Sequence, residues 1–319
     1  MQIFHSSWVT SMPSLTSSSL IVSDDFTQNN QSVTAQYAPH DGLVDAMFSA
    51  GLVSDVHIIP DGQIHRFKAD GDKRPNAWYV SYGDGGAFGN WRTGLRETWF
   101  RGDLSDRRKR VIGKEIVIAQ KAARKKLERK YQRARQIAVR RWNAASLATK
   151  HPYLDAKGVR SHGLRLEDAN LLAPVCHDRR IWSLQIITAD GEKRFLSGGR
   201  ISGGYFSIGT PSERIWITEG YATAATVYEV TGEATLCAFN AGNLVKVARY
   251  IRDQFKIQKI YIAADNDEAG IRAALDAMQK HALEGATWPD IEKADWNDYC
   301  AVHGPERARA ALTAIKASS

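Results

Sequence analysis

The sequence predicts a mixed α/β protein whose C-terminal third is a parallel sheet flanked by helices. From Arg214 onwards, apolar runs typical of strands alternate with segments of helical periodicity. This pattern indicates β-α-β units with right-handed crossovers. Residues 160–210 contain short strand-like runs separated by turn signals, and Leu104–Ala148 is rich in Lys and Arg and contains no Pro. We therefore expect an α+β subdomain and a long basic helix before the parallel sheet.

The elements of the C-terminal third follow one another in a regular order. "RIWITEG" predicts a strand, "YATAATVYEVTG" a helix that ends at Gly232, and "EATLCAFN" a second strand. "LVKVARYIRDQF" predicts an amphipathic helix, "KIYIAADND" a third strand, "AGIRAALDAMQKHALEGA" another helix, and "TWPDI" a short last strand. In an open parallel sheet, functional side chains gather at the carboxyl ends of the strands. The residues that follow these strands are therefore the first candidates for a site.

The N-terminal part of the chain predicts a small α+β module after a polar leader. "DGLVDAMFSAGLV" predicts a short helix that ends near Gly51, and "VHIIPDGQIHRF" predicts strand, turn and strand. "AWYVSYGDGGAFGNWRTG" predicts an aromatic strand followed by a glycine-rich turn region. The predicted divisions of the chain are a disordered leader at 1–35, the small module at 36–102, a basic helical connector at 103–148, a subdomain at 149–211, and the parallel sheet with a C-terminal helix at 212–319.

Composition excludes several classes of protein. The chain has 319 residues, of which 43% are hydrophobic, yet no apolar run approaches the length of a membrane span. Its start lacks a basic region followed by a continuous apolar stretch, so we do not expect a signal peptide. Cys176, Cys237 and Cys300 are far apart, which argues against a disulfide framework and against a four-cysteine zinc site. We expect a cytoplasmic protein without zinc and without a membrane partner.

The basic residues are concentrated in one segment. The chain has a net charge of +8. The net positive charge of the predicted helix alone is larger than this, because only Asp106, Glu115 and Glu128 oppose its basic residues between Ser105 and Arg141. Those basic residues are Arg107, Arg108, Lys109, Arg110, Lys114, Lys121, Arg124, Lys125, Lys126, Arg129, Lys130, Arg133, Arg135, Arg140 and Arg141. This asymmetry favours a polyanionic partner, with Arg124, Lys125 and Lys126 as candidate DNA-binding residues. The alternative is a solvated connector helix.

Three carboxylates follow two of the predicted parallel strands. Glu219 comes after the first strand, and Asp265 and Asp267 come after the third. Alternation along the extended chain directs Asp265 and Asp267 to the same side. Converging carboxylates repel one another unless a cation lies among them, and Mg²⁺ or Mn²⁺ prefers such oxygen ligands. The sequence therefore predicts a metal site, although Asp267 is also suited to cap the following helix.

The same residues resemble the signature of the Toprim domain. "ITEGYATAAT" supplies a glutamate after the first strand, and "IAADNDEAG" supplies an Asp-x-Asp after the third. "CAFNAGNL" lies where primases carry a turn after the second strand. The Toprim domain occurs in DnaG-type primases, topoisomerases and some nucleases, so this resemblance implies metal-dependent chemistry on nucleic acid but does not select the reaction.

Upstream segments resemble the first half of a primase RNA-polymerase core. They are "HPYLDAKGV", "LLAPVCHDRRIWSLQII" and "GEKRFLSGGRISGGYFSIG". The resemblance is closest to plasmid TraC-type and phage or prophage primases. It covers about residues 149–300, and residues 36–102 weakly.

The resemblance implies a DNA primase that makes RNA primers on single-stranded DNA from ribonucleoside triphosphates. Glu219, Asp265 and Asp267 would be catalytic and would hold two Mg²⁺ or Mn²⁺ ions, and further metal-binding carboxylates would be Asp295 and Asp298. The implied nucleotide-binding or template-binding residues are Lys193, Arg194, Arg200, Asn240 and Asn243. Ordinary hairpin-edge charge is the alternative for the basic residues, and a helix cap is the alternative for the "DWND" acids.

Two features depart from the resemblance. The chain lacks the Cys/His zinc ribbon with which DnaG-type primases begin, but its N-terminal module interleaves aromatic and basic residues, including Trp91 and Arg92. Such residues suit single-stranded DNA, and the core of a small domain is the alternative. No P-loop motif occurs, so we expect the helicase motor to be either a replicative helicase acting in trans or a C-terminal part that this sequence does not include.

Two other function classes remain open on the sequence. A Toprim nuclease would use the same metal ions but would not need the "EKRFL" segment. A non-catalytic DNA-binding accessory protein would have no need of clustered acids beside DNA, because they repel phosphate. A topoisomerase is disfavoured, since no module that could supply a nucleophilic tyrosine is evident.

Overall fold

The computed structural model describes residues 41–254 and 259–317. The predicted leader, residues 1–35, lies outside the described residues. The described chain forms two compact units, residues 41–129 and residues 130–317. The division of the chain into five segments stays a prediction.

The first unit is a four-stranded antiparallel sheet with helices packed on it. Its elements are α1 (Asp41–Ser49), β1 (His65–Phe67), β2 (Ala77–Ser81), β3 (Gly85–Asn90), β4 (Leu95–Phe100) and the beginning of α2 (Asp106–Ala144). The strands lie in the order β1-β2-β3-β4. Leu43 and Met47 of α1 pack with Tyr79 and Phe88 on one face of the sheet, where all four side chains are buried. Burial of these apolar side chains supplies the main stabilisation of the unit.

The opposite face of this sheet carries the first turns of α2. Ile112 and Ile116 are one helical turn apart, and they pack with Trp78 and Val80 of β2. The long basic helix expected from the sequence is therefore present in this unit, and its apolar stripe is used for packing.

Two local predictions for this unit are wrong. "VHII" is not a strand, because the Tyr79 hydroxyl takes the place of a neighbouring strand: it donates to the His57 carbonyl at 3.1 Å and accepts from the Ile59 N–H at 3.0 Å. The glycine-rich stretch is not a turn but strand β3. A methyl group on Gly89 would lie 2.2 Å from the Leu95 carbonyl oxygen, so the close approach of β4 requires glycine there.

The second unit begins with a five-stranded antiparallel sheet. Its elements are β5 (Ser146–Leu147), α3 (Pro152–Lys157), β6 (Arg165–Glu167), β7 (Asn170–His177), β8 (Arg180–Ile187) and β9 (Lys193–Phe195). The strands lie in sequence order. The C-terminal part of α2 packs on one face, where Ala138 meets Leu172 and Leu184. Arg141 of α2 also forms an ion pair with Glu167.

A six-stranded sheet completes the second unit. Its elements are β10 (Phe206–Ile208), β11 (Arg214–Thr218), α4 (Tyr221–Thr231), β12 (Thr235–Cys237), α5 (Ala241–Gln254), β13 (Lys259–Ala263), α6 (Glu268–His281), β14 (Gly285–Thr287), α7 (Trp296–His303), α8 (Pro305–Thr313) and β15 (Lys316–Ala317). The strand order is β10-β12-β11-β13-β14-β15, and the four inner strands are parallel. The last parallel strand, β14, ends at Thr287, the first residue of "TWPDI", so the strand predicted there begins two residues earlier than expected and does not include the rest of that segment.

Helices cover both faces of the parallel strands. Ile215 and Ile217 of β11 face α5 and α6, whereas Trp216 faces α4, α7 and α8. The strands are buried on both sides, which explains their continuous apolar sequence. The predicted α/β fold class is confirmed. No helix in the described ranges is both long enough and apolar enough to span a bilayer.

Candidate active site

The three predicted acids lie where two neighbouring parallel strands end. Thr218 of β11 pairs with Ala263 of β13. Glu219 follows Thr218 directly, and Asp265 and Asp267 follow Ala263 after one and three residues. The paired ends of β11 and β13 therefore deliver the three carboxylates to one edge of the sheet.

The N-terminus of α6 lies against these acids. Asp267 is the N-cap residue of α6, and its Oδ1 accepts a hydrogen bond from the Gly270 N–H at 2.7 Å. A methyl group on Gly270 would lie 2.6 Å from Glu219 Oε1 and 3.3 Å from Asp267 Oδ1. Both carboxylate oxygens are thus grouped around Gly270, whose missing side chain leaves them room.

The Glu219 carboxylate is partly buried, and no hydrogen-bond donor in the described chain replaces the lost water at its Oε1. Its Oε1 is buried and has no hydrogen-bond partner among the described residues. Burial, followed by repulsion from Asp265 and Asp267, raises the pKa of Glu219 to about 8, although the Ala241 N–H opposes the shift. A buried acceptor without a donor is unfavourable, so the site has an unmet need for a positive charge or a proton.

Asp265 has the same need. Its Oδ1 is buried without a hydrogen-bond partner in the described chain. Burial, then repulsion from Asp295 and Asp267, raises the pKa of Asp265 to about 7, and Lys193 partly offsets this effect. Lys193 is therefore a basic side chain whose charge acts on Asp265, and one lysine does not neutralise the three acids.

Asn266, between the two aspartates, fixes the position of a second acidic segment. Its side-chain amide donates to the Ile291 carbonyl at 3.1 Å. Its backbone N–H donates to the Ala294 carbonyl at 2.9 Å, and its carbonyl accepts from the Lys293 N–H at 2.8 Å. These bonds hold residues 291–294 against the acid loop, which brings Asp295 close enough to influence Asp265.

Asp295 and Asp298 form a capping box at the start of α7. Asp295 Oδ1 accepts from the backbone N–H of Asn297 at 2.7 Å and from that of Asp298 at 2.9 Å. Asp298 also pairs with Lys157 at 3.3 Å. The helix-cap alternative therefore describes what these two side chains do in the structure, while their predicted role as metal ligands stays a prediction.

The donor set at the sheet edge fits a hard divalent cation. Two buried carboxylate oxygens without donors are what Mg²⁺ or Mn²⁺ would satisfy. In the described ranges, no three His, Cys, Asp or Glu side chains are arranged to enclose a metal ion by themselves. Mg²⁺ typically binds one or two carboxylates and completes its shell with water and phosphate oxygens. The arrangement therefore suits an ion shared between protein and substrate.

The predicted basic residues do not lie together. Lys193 and Arg194 are adjacent on β9, so their side chains leave opposite faces of the sheet. The Lys193 ammonium lies 5.3 Å from the centre of the Tyr153 ring and acts on Asp265. The Arg200 guanidinium lies 5.3 Å from the Trp182 ring, which Arg135 of α2 also contacts. Of the three, only Lys193 is directed to the acids.

The two predicted asparagines also differ in position. Asn240 is exposed just before α5, whereas Asn243 is buried within it. The Asn243 side chain accepts from the Gly203 N–H at 2.7 Å and donates to the carbonyls of Gly204 and Ala238, each at 2.8 Å. Asn243 therefore ties the loop before β10 to α5.

A cavity of about 880 Å³ has Lys193 and Asp298 in its wall, but none of Glu219, Asp265 and Asp267 lines it. Lys193 and Asp298 line it, and both also influence the pKa of Asp265. Its further walls include Tyr153, Lys157 and Glu229. Clefts of this size hold small ligands, and the two shared residues are what relate this cavity to Asp265.

The predicted DNA-binding residues of the first unit are accessible to different degrees. Arg124, Lys125 and Lys126 are exposed on α2. Trp91 is 52% exposed. Arg92 is held in an ion pair, because its Nε donates to Asp72 Oδ1 at 2.6 Å.

Sequence reasoning missed three residues that shape the site. Gly270 gives the acids room, Asn266 fixes the second acidic segment, and Lys157 pairs with Asp298. A polar residue between two aspartates, and a glycine in the first turn of the helix that follows them, are signals that a sequence-based search can use.

Residues 214–306 match the Toprim domain family. The chain is 33% identical over 261 residues to a DNA primase TraC of Escherichia coli, an alignment that covers 76% of this chain and 24% of that protein. A second Escherichia coli DNA primase TraC is 32% identical over 253 residues, covering 72% of this chain and 17% of the relative. The chain thus spans at most about a quarter of these relatives, and its resemblance to Toprim proteins and TraC-type primases is confirmed.

Two solved structures are similar to parts of the chain. The primase fragment of the bacteriophage T7 primase-helicase protein has 19% identity and a TM-score of 0.43, covering 54% of this chain and 77% of that chain. The zinc-binding and RNA polymerase domains of Aquifex aeolicus primase have 13% identity and a TM-score of 0.43, covering 86% of this chain and 83% of that chain.

Proposed function

We propose that this chain, which carries a Toprim domain and is homologous to DNA primase TraC, synthesises short RNA primers on single-stranded DNA. The reaction joins ribonucleotides: a 3′-hydroxyl gives up its proton to solvent and attacks the α-phosphorus of an incoming triphosphate. A P–O bond forms to the primer, the bond from the α-phosphorus to the bridging oxygen breaks, and pyrophosphate leaves. The setting is the replication of a plasmid, phage or mobile element.

One observation carries the proposal. Glu219 and Asp265 each bury a carboxylate oxygen without a hydrogen-bond partner among the described residues, at the paired ends of adjacent parallel strands. A protein that only bound DNA would not benefit from such a cluster, because the acids repel phosphate. A phosphoryl-transfer enzyme needs it, because carboxylates recruit the cations that phosphate chemistry requires.

Glu219, Asp265 and Asp267 would hold the metal ions, with Asp295 and Asp298 as further candidates. When bound, Mg²⁺ or Mn²⁺ would activate the attacking hydroxyl and stabilise charge on the leaving pyrophosphate. Gly270 keeps the approach to Glu219 and Asp267 open. Asp267 also holds the first turn of α6 through the Gly270 N–H, which fixes the direction of its carboxylate.

The basic residue that fits the substrate phosphates is Lys193. Its side chain lies over Tyr153 at the edge of the cavity, and its charge acts on Asp265. The Lys193 ammonium would pair with a phosphate of a triphosphate bound near Asp265. Asn240 lies exposed at the start of α5, and Arg194 and Arg200 are suited to more distant parts of the template. A replicative helicase acting in trans completes the proposed system.

The test is an incubation of the full chain with circular single-stranded DNA, labelled ribonucleotides and Mg²⁺ or Mn²⁺. We expect short labelled oligoribonucleotides that depend on template, metal and Asp265. Shortened DNA without labelled oligomers would assign the chain to the Toprim nucleases instead. If the folded protein, stabilised by metal, makes no product on any of a panel of templates, primer synthesis by this chain is contradicted.

A further inference from the structure

One row of side chains crosses the sheet of the first unit on the face that carries α2. Arg66 of β1 pairs with Trp78 of β2, Trp78 with Gly89 of β3, and Gly89 with Arg96 of β4. Residues paired directly across strands project from the same face. The row thus places two arginines on either side of an indole and a glycine.

Trp91 lies over this row. Its ring is stacked on Trp78, with ring centres 5.7 Å apart and an angle of 27° between the planes. The Arg66 guanidinium lies 4.8 Å from the centre of the Trp91 ring. Gly89 makes the flat arrangement possible, because a methyl group there would lie 3.1 Å from Cε2 of Trp78. We call Arg66, Trp78, Trp91 and Arg96 the tryptophan platform.

Trp91 is not placed as a core residue would be. It remains 52% exposed, whereas Trp78 beneath it is 4% exposed. An indole that served only to cover the sheet would bury more of its own surface, because burial of apolar area is the gain of such packing. Trp91 therefore presents a supported aromatic surface to the solvent.

The two arginines of the platform are bonded to neutral acceptors. Arg66 donates to the Pro75 carbonyl, from Nη2 at 2.6 Å and from Nε at 3.0 Å. Arg96 donates to Gln120 Oε1 of α2 at 2.8 Å. Neither forms an ion pair within the described ranges. These neutral acceptors orient both guanidinium groups and leave their charge available.

The basic helix continues the charged surface. Gln120 contacts Arg96, and Arg124 follows Gln120 by one helical turn and is exposed. Arg92 does not contribute in the same way, although it is adjacent to Trp91 in sequence. Its guanidinium pairs with Asp72, and Asp72 also accepts from Asn90 Nδ2 at 2.9 Å. Arg92 thus stabilises the end of β3.

We propose that the tryptophan platform binds single-stranded DNA by stacking an unpaired base on Trp91, with neighbouring phosphates beside Arg66, Arg96 and Arg124. An exposed aromatic ring surrounded by unneutralised arginines is the arrangement that stacks bases and tracks a phosphate backbone. The choice of DNA over RNA rests on the proposed function, since a primase needs a DNA template. The binding itself needs no catalysis.

The first experiment measures the anisotropy of fluorescein-labelled oligo(dT) with the full chain. We expect Trp91→Ala to weaken binding by about fivefold to a hundredfold, as for the loss of one stacked base, and Trp91→Phe to retain most of the affinity. The matched control is Phe48→Ala, because Phe48 is an exposed aromatic residue of the same unit, on α1. Equal affinity of folded Trp91→Ala and Phe48→Ala would overturn the proposal.

The second experiment measures the same binding over a range of salt concentrations. We expect Arg66→Ala and Arg96→Ala each to reduce the salt slope, by about 0.7 per lost phosphate contact, and Arg92→Ala to leave the slope unchanged while lowering the melting temperature. If Arg92→Ala reduced the salt slope as much as Arg66→Ala does, the definition of the platform would be overturned. Stronger Trp91-dependent binding of oligo(U) than of oligo(dT) would overturn the assignment to DNA.

A catalytically inactive variant separates this proposal from the proposed function. We expect Asp265→Asn to retain oligo(dT) binding that depends on Trp91. If primer synthesis fails in the wild type while this binding is present, the platform stands and the primase proposal does not.

Discussion

Gly270 and Glu219 meet at the start of α6, where a methyl group on the glycine would lie 2.6 Å from Glu219 Oε1. The same methyl group would lie 2.7 Å from the Asp265 carbonyl oxygen, which belongs to the backbone and has little freedom to move. The first turn of this helix therefore determines how closely the carboxylates are arranged.

Gly270→Ala should destabilise the protein and abolish its activity. In a helix, replacement of glycine by alanine ordinarily stabilises by about 0.5–1 kcal/mol. Here we expect a loss of about 1–3 kcal/mol, because the new methyl group overpacks the site. The control is Gly113→Ala in α2, where nothing lies within 4 Å of the added methyl group. Chemical denaturation measures both variants, and a stabilised Gly270→Ala would contradict the geometry.

Without divalent metal, the protein should lose stability as the pH rises. Burial raises the pKa of Glu219 from 4.5 to about 8 and that of Asp265 from 3.8 to about 7. At these two sites the folded protein keeps protons that the unfolded chain has released, so Glu219 and Asp265 make the free energy of unfolding fall as the pH increases from about 4.5 to 8, against the lowered pKa values of His162 and His281. Melting temperatures in the presence of EDTA measure this trend.

Two controls accompany that measurement. Glu219→Gln should raise the melting temperature in EDTA at pH 8 and flatten the pH dependence, since the amide is not charged. Millimolar Mg²⁺ or Mn²⁺ should stabilise the wild type at pH 8 more than it stabilises Glu219→Gln. The same pH dependence in EDTA for the wild type and for Glu219→Gln would contradict the raised pKa of Glu219.

Asn243→Ala should lower stability rather than affinity for nucleotide. Its side chain is bonded to Gly203, Gly204 and Ala238, and the loss of these buried bonds is expected to cost about 1–3 kcal/mol. Thermal denaturation together with the KM for ribonucleotides distinguishes the two roles. A higher KM with unchanged stability would support the direct nucleotide contact expected from the sequence.

Arg124, Lys125 and Lys126 should contribute to DNA affinity through charge. Their combined replacement by alanine is expected to reduce the salt slope of oligo(dT) binding by about 2, if each residue contacts one phosphate. Arg272→Gln on α6 serves as a control, because Arg272 is already paired with Glu268 at 3.3 Å. An unchanged slope would identify this part of α2 as a solvated connector.

The parallel sheet and the three acids were predictable because periodicity and strand ends are local signals. Alternation of apolar strands and helices from Arg214 fixed the order of elements, and Glu219, Asp265 and Asp267 follow strands that pair in parallel. A sequence also shows where acidic residues accumulate without basic residues nearby. It does not show that Lys193 and Arg194 leave opposite faces of β9 until the strand itself is placed.

The contacts that depend on tertiary structure were not predictable in the same way. The glycine-rich segment became strand β3 because β2 and β4 approach it closely, and "VHII" stayed outside the sheet because the Tyr79 hydroxyl satisfies its backbone. Arg92 and Trp91 are sequence neighbours, yet Asp72, twenty residues before Arg92, neutralises the arginine, whereas the Trp91 ring stays exposed. Such long-range partners determine which basic and aromatic side chains stay available to bind a ligand.

The most direct test of the account compares two aspartates of the same region in primer synthesis. Asp265→Asn removes a half-buried acid of the site, whereas Asp276→Asn removes an acid of α6 that pairs with Lys280 at 2.7 Å. With single-stranded DNA, labelled ribonucleotides and a titration of Mn²⁺, we expect primers from Asp276→Asn at the wild-type level and none from folded Asp265→Asn. Equal primer yields and equal Mn²⁺ dependence for the two variants would contradict the assignment of the active site.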